Sequence, residues 1–327
     1  MFKKDKPYRV TVLRQLGGLG DLLLLSPVFR GLKEKYPNCH LTVATTWVYG
    51  SGALPQLLKL NPFVDQVVRL EPHEYAPPML RSCKKEFSEV PNDWNPPCIE
   101  QADEVIELNV ICSMVETATM PNVVKHRTDI WCDHAGVNPS SKKPILVLSK
   151  EELAQGKRWC DDNLGQGKRI GVVLNAMSPI RAWPYAEEFT KDLQRAGYKV
   201  VTLDPVKRVA DDIPALIGRQ IRFVASCMAH LDAVVTPDTG LLHVAGAVGT
   251  PILGLFGSTD PLLRMREYAG SFSWPKRLVP CGGCFYVYQC LKDKDQNNHV
   301  KCMKSISRAL TMCELERMLD RFGCGYN

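Results

Sequence analysis

Residues 235–257, VTPDTGLLHVAGAVGTPILGLFG, decide the fold class. An apolar run stops at Thr236-Pro237, Asp238-Thr239-Gly240 opens an apolar helix that ends near Gly249, and residues 251–256 form the next strand. A helix that begins just past a strand end is a ready anion site. Its unpaired N–H groups and positive dipole end point into the crevice of a doubly wound sheet, and Gly240 lets a phosphate come close to the backbone. Asp238 is equally a good helix N-cap, so the stretch taken alone supports both readings.

Outward from this stretch the same alternation recurs. Residues 8–13 read as a strand, followed by the glycine turn Gly17-Gly18-Leu19-Gly20-Asp21 and a helix over 22–35. Strands are expected at 41–44, 64–70 and 103–108, with helices at 51–60, 111–120 and 126–136. Such alternation predicts a parallel sheet with helices on both faces. Residues 71–97, with six prolines, interrupt the pattern as an excursion at the rim. Past Pro144 a short strand is expected at 145–148. Ser149 and Glu152 then have the spacing of a capping box opening a helix that runs to residue 164. Strands at 169–174 and 198–203, helices at 184–196 (Pro184 in its first turn) and 223–230, and a closing helix at 307–322 complete a second unit.

At 327 residues with 45% hydrophobic side chains, the chain can build two cores. The expected division is 1–144, 145–310 with a cysteine-rich loop at 281–302, and a closing helix at 311–327. The net charge of +6 is scattered, which suits a small anionic substrate or a membrane-surface acceptor better than nucleic acid. No stable nucleic-acid partner is expected. No apolar run is long enough for a membrane span, and residues 1–5 lead straight into a strand without the apolar core of a signal peptide, so a cytoplasmic location is expected.

The thirteen cysteines are accordingly read as reduced thiols rather than a disulfide framework. Four of them, Cys281, Cys284, Cys290 and Cys302, share one segment. A CxxC knuckle with two nearby thiols is either a structural Zn or Fe site or a loop of reduced cysteines. The glycine turn at 17–20 is a poor dinucleotide fingerprint: Leu23 stands where a third glycine belongs, and no acidic residue closes the second strand near Ala44. An NAD-dependent dehydrogenase is therefore disfavoured. What the turn does supply is Asp21, a carboxylate at a helix start, suited to a general base and equally to a helix cap.

Two long motifs, in order, resemble those of one family. GGLGDLLLLSP at 17–27 with LKEKYP at 32–37 is similar to the N-terminal signature of glycosyltransferase family 9, the heptosyltransferases. DTGLLHVAGA at 238–247, with GTP at 249–251 and LFGSTDP at 255–261, resembles the C-terminal signature. NAMSPIRAWP at 175–184 resembles a third family element, with Arg181 where lysine is usual.

The resemblance implies the α/β GT-B fold, two Rossmann-like domains facing across a cleft. It also implies transfer of a heptose from an ADP-sugar, with inversion and with no cofactor or metal required for catalysis. It makes Asp21 the base that takes the acceptor proton. Thr239 and Gly240 become backbone donors to the leaving diphosphate, while Asp238 orients the loop or holds sugar hydroxyls. Arg181 and Ser178 become diphosphate contacts, with Arg181 able to grip at two points. His243 is either a donor contact or a buried helix histidine, and Trp183 is read as packing. The cysteine cluster, which the family often carries, would brace its loop. The implied partners are a nucleotide-sugar donor and a glycolipid acceptor, the lipopolysaccharide core, at the inner membrane surface. Rival readings are a related transferase acting on a protein or modified nucleobase, and a nucleotide-sugar-binding protein without turnover.

Overall fold

The computed structural model describes residues 7–15, 17–45, 53–70, 97–268, 272–276, 279, 282–285, 290 and 300–323. The chain forms two compact units, one of Met1–Val115 with Arg127–Val147, the other of Glu116–His126 with Leu148–Asn327.

In the first unit the strands β1 (Arg9–Arg14), β2 (His40–Thr45), β3 (Gln66–Arg69) and β4 (Glu104–Glu107) lie in the order β3-β2-β1-β4. All pairs are parallel, with Val12 opposite Val43 on one side and Ile106 on the other. β1 and β2 are buried along almost their whole length, as parallel strands covered on both faces must be, while the edge strand β3 is exposed at both ends. The helices are α1 (Leu19–Lys35), α2 (Ala53–Leu58), α3 (Pro97–Glu100), α4 (Ile111–Thr119) and α5 (Arg127–His134), with α4 running across the unit boundary.

The second unit contains α6 (Lys150–Leu164), β5 (Arg169–Val172), a 3-10 turn (Pro179–Arg181), α7 (Ala186–Arg195), β6 (Lys199–Thr202), α8 (Ile221–Met228) and β7 (Ala233–Pro237). It continues with α9 (Gly240–Val248), β8 (Ile252–Leu255), α10 (Leu262–Met265), β9 (Phe272–Ser273), α11 (Lys301–Lys304) and α12 (Arg308–Gly323). Its parallel sheet has the order β6-β5-β7-β8-β9. Ile170, Val172, Phe189, Val235 and Leu253 pack in one core with Leu315 and Met318 of α12, so the closing helix is part of this unit's interior.

The order of strands fixes where sites can form. In the first sheet the chain moves from β1 outward through β2 and β3, then returns to place β4 on the other flank of β1. In the second it moves from β5 to β6, then places β7 on the opposite flank of β5. Between β1 and β4, and between β5 and β7, the connections diverge and leave a crevice beyond the strand ends where ligands bind in open α/β sheets.

Two local expectations change. Residues 145–148 form no strand: the Ile145 N–H donates to Ser26 Oγ at 2.8 Å, which takes that donor away from any sheet. Pro184 stands before α7 rather than in its first turn, because its neighbours are tied to the segment around α11. Trp183 Nε1 donates to the Ile306 carbonyl at 2.7 Å and the Tyr185 hydroxyl to the Lys304 carbonyl at 3.2 Å. Residues 71–96, most of the proline-rich excursion, lie outside the described residues.

The capping box of α6 forms as the sequence predicts, with Glu152 N–H donating to Ser149 Oγ at 3.2 Å and Ser149 N–H to Glu152 Oε2 at 2.8 Å. Ser149→Ala is expected to destabilise the protein by about 1 kcal/mol. A thermal melt indistinguishable from the parent's would contradict a stabilising cap.

Candidate functional site

The crevice between β1 and β4 is lined by charge. Arg14, the last residue of β1, is buried; its Nη1 donates to the carbonyls of Leu108 at 2.7 Å and Asn109 at 2.6 Å, just past β4. Its guanidinium lies 5.0 Å over the Trp131 ring. Asn109 Oδ1 accepts from the Gln15 N–H at 2.6 Å, closing a second link between the two strand ends. The chain then turns through Gly17 at a φ of 104°, where a Cβ would fall 2.5 Å from both Arg14 Nη2 and Asp21 Oδ2. Only glycine gives both that backbone conformation and that close approach.

Asp21 is in the first turn of α1, three residues after the N-cap Gly18, whose N–H donates to Asp21 Oδ2 at 3.1 Å. Gly18 rather than Asp21 is thus the helix N-cap; Asp21 accepts from it as the third helical residue and makes a second set of contacts as well. Arg127 Nη1, on α5, donates to Asp21 Oδ1 at 2.5 Å, and Arg14 Nη2 lies 3.7 Å from Oδ2. Burial pushes the Asp21 carboxyl up; Arg127, then Arg14 and the Gly18 N–H, outweigh it and hold the group far below the usual carboxylate range. Arg14 and Arg127 escaped the sequence reading. Arg127 is remote in the chain and carries no local signal, whereas Arg14 directly precedes the glycine turn and is the one that could have been suspected.

At the crevice between β5 and β7, α9 begins at Gly240 with Thr239 as N-cap. Thr239 and Gly240 are partly exposed, leaving the helix start open to a ligand. Asp238 stands one residue before the cap and is 5% exposed. Its Oδ2 accepts from Thr259 Oγ1 at 3.2 Å and lies 3.6 Å from Arg264 Nε and 4.0 Å from Arg181 Nη1. Arg181, at the end of the 3-10 turn whose N-cap is Ser178, also donates to the Asp238 carbonyl at 2.9 Å. The structure thus brings Ser178, Arg181, Asp238, Thr239 and Gly240 to one sheet end. His243 is buried, its Nδ1 3.1 Å from the Tyr268 hydroxyl, which gives this imidazole a packing partner within the unit. Arg264 is the residue here that the sequence reading missed.

The cysteine segment leans on the loop that follows β8. Gly283 N–H donates to the Gly257 carbonyl at 3.1 Å and Phe285 N–H to the Ser258 carbonyl at 2.7 Å. On the other side of that loop, a Cβ on Gly257 would fall 2.6 Å from Cys302 Sγ. Cys284 and Cys302 are buried and Cys290 is half-buried, while Cys281 lies outside the described residues. Among the described residues no group of three or more His, Cys, Asp or Glu side chains is assembled to hold a metal, so the three described thiols do not by themselves make a site.

Residues 100–301 match the model of glycosyltransferase family 9 (heptosyltransferase). The chain belongs to that family. Among sequence relatives, lipooligosaccharide heptosyltransferase 2 of Haemophilus influenzae is 26% identical over 140 residues, 36% of this chain and 40% of that protein. The chain spans about two fifths of the length of the curated relatives it matches. Among solved structures, a family 9 glycosyltransferase from Veillonella parvula has a TM-score of 0.70 at 18% identity, covering 95% of this chain and 97% of that one. The iron-containing dodecameric glycosyltransferase TibC of enterotoxigenic E. coli H10407 has a TM-score of 0.66 at 14% identity, over 97% of this chain and 77% of that one. TibC has also been solved in complex with ADP-D-beta-D-heptose. The fold of this family 9 chain is the GT-B type. Among the described residues no helix is long and apolar enough to cross a membrane.

The Asp21 pairing makes a pH prediction. A carboxyl held low in the folded state contributes stability that is fully present above its unfolded value of about 4 and is lost progressively as pH falls below that value. Arg127→Gln removes the closer pairing cation while leaving the burial, so the carboxyl rises. The stability gap between parent and variant is expected to be widest near neutral pH and to narrow below about pH 4, read from thermal melts across that range. A gap independent of pH would mean that Arg127 acts by packing alone.

Proposed function

We propose that this chain is an inverting glycosyltransferase that moves a heptose from ADP-heptose to a hydroxyl of a lipopolysaccharide-core acceptor. The observation that carries the reading is the pair of sites at the two chain reversals: an ionised carboxylate, Asp21, at one, and an open helix start with Arg181 at the other. Membership of family 9 and the heptosyltransferases among its relatives support it.

In this reading the acceptor oxygen attacks the anomeric carbon from the face opposite the diphosphate, the bond from that carbon to the diphosphate oxygen breaks, and ADP leaves. The acceptor proton passes to Asp21. A carboxylate held so far down is a weak base toward a free alcohol, but it suffices here. As the oxygen bonds to carbon it takes on oxonium character and its proton becomes strongly acidic, so the transfer comes late in the step. Arg181 and the N–H groups of Thr239 and Gly240 take up the charge developing on the diphosphate, without a metal in that role, while Ser178 adds a hydrogen bond. Asp238 orients the loop or holds sugar hydroxyls, and His243 is a donor contact in the same reading. The acceptor, a glycolipid, is presented at the cytoplasmic face of a membrane.

A structural Zn or Fe ion on Cys281, Cys284, Cys290 and Cys302 belongs to the same proposal, as a brace for the loop that carries no step of the transfer. It is supported by the thiol-rich segment and by an iron-containing structural relative. Elemental analysis of the purified chain is expected to find roughly one metal per molecule, lost when Cys284 and Cys302 are both replaced by serine. Metal-free protein with an undiminished melting temperature would reject the brace.

The transfer reading is tested by calorimetry and kinetics together. ADP and ADP-heptose are expected to bind, UDP-glucose and NAD not to. Asp21→Asn should keep donor affinity while lowering turnover by about 10²- to 10⁴-fold. Binding of UDP-glucose alone would overturn the donor, and unimpaired transfer by Asp21→Asn would overturn the base. Transfer to a protein or nucleobase acceptor, with none to truncated lipopolysaccharide, would overturn the acceptor.

A further inference from the structure

Four charged side chains meet in the second unit where α9 begins. Arg264 is 4% exposed, with Nε 3.6 Å from Asp238 Oδ2 and Nη2 3.8 Å from Glu116 Oε1. Its Nη1 donates to the Leu263 carbonyl at 3.0 Å, and its guanidinium lies 5.4 Å over the ring of Phe285. Phe285 is itself packed with Val123, Leu263 and Met120, so this face of Arg264 is walled by apolar groups. Glu116 is 3% exposed and Asp238 5%. The fourth member, Arg181, shares the Asp238 carboxylate but has a side chain 31% exposed, on a short surface turn.

Two acids and two arginines meet here, and the arginines are not equivalent. Removing Arg264 would take a buried cation away from two buried carboxylates at once, a heavily penalised change. Arg181 can turn outward at little expense, because Arg264 still compensates Asp238. A guanidinium binds a diphosphate well only if it is not already held by a carboxylate.

We propose that Arg264 is a positioning residue: it serves as the resident counterion of Asp238 and so releases Arg181 to bind the diphosphate of a nucleotide. This rests on the reading of the α9 start as the donor site. Glu116 and the Phe285 ring hold Arg264 in place, and Thr259 fixes the carboxylate it faces. Without Arg264, Asp238 draws Arg181 inward and an incoming diphosphate must compete for it.

The test is calorimetric titration of the full chain with ADP, adenosine and inorganic pyrophosphate. Arg264→Gln is expected to weaken ADP and pyrophosphate by roughly ten-fold or more and to leave adenosine within about two-fold, because only the phosphate contact is affected. Adding Asp238→Asn to that variant removes the competing carboxylate and should recover most of the loss, and Arg264→Lys should fall between. If Arg264→Gln melts too low to titrate, the double variant Glu116→Gln with Arg264→Gln, which removes one charge of each sign, takes its place. Equal weakening of ADP and adenosine, or no recovery with Asp238→Asn, would overturn the proposal in favour of a purely structural arginine. A parent that binds pyrophosphate but not ADP rejects the adenine-nucleotide donor while still testing Arg264. A parent that binds neither rejects both.

Discussion

The two charged sites of this chain depend on one topological constraint, the reversal of chain direction about a central strand in each parallel sheet. Crossover connections satisfy and cover the strand ends wherever successive strands are laid down on one flank. At a reversal they part, and the backbone groups and side chains beyond the last ladder bond need other partners. Arg14 supplies them in the first unit by bonding carbonyls past β4 from the end of β1. In the second, Arg181 reaches from the loop after β5 to the carbonyl of Asp238 past β7. In both cases an arginine spans the gap, because its five donors in a rigid fork can serve a carbonyl and a carboxylate at once.

The two sites also share an electrostatic plan. Each has one carboxylate facing two guanidiniums of unequal exposure. For Asp21 the buried arginine is Arg14, with a side chain 7% exposed, and the more open one Arg127 at 25%. For Asp238 they are Arg264 at 5% and Arg181 at 31%. The buried partner leaves a counter-charge beside the carboxylate whatever happens at the mouth of the site, and the outer one is near enough to solvent to meet a ligand. A lone pairing cation could not do both, since drawing it toward a ligand would leave an uncompensated charge in a poorly solvated place.

The sequence made the architecture legible because alternating apolar strands and helices have few parallel arrangements, and because Asp21 and Asp238-Thr239-Gly240 fall at strand-to-helix junctions that the pattern itself locates. The capping box at Ser149 was equally visible, being local in sequence and in space. Arg127 and Arg264 were not, since their partners lie 106 and 26 residues away in the chain and nothing in their neighbourhoods marks them. The strand expected at 145–148 fails for the same reason: a side chain more than a hundred residues earlier, Ser26, takes the hydrogen bond that a β pattern assumed for the backbone. Local chemistry could be read forward from the residues, whereas long-range charge pairing had to wait for the fold.

The placement of Glu116–His126 has a bearing on how such a chain can diversify. The second unit is not one uninterrupted piece of sequence, for it includes this earlier segment, and the chain then goes back to complete the first unit with Arg127–Val147. Glu116 and Arg264, an ion pair within one unit, therefore lie on opposite sides of the join at Val147 and Leu148. Shuffling halves between relatives at that join would combine the acid of one parent with the base of the other. Only exchanges in which both had kept compatible partners would be silent, so the two halves are expected to be inherited together rather than traded as modules.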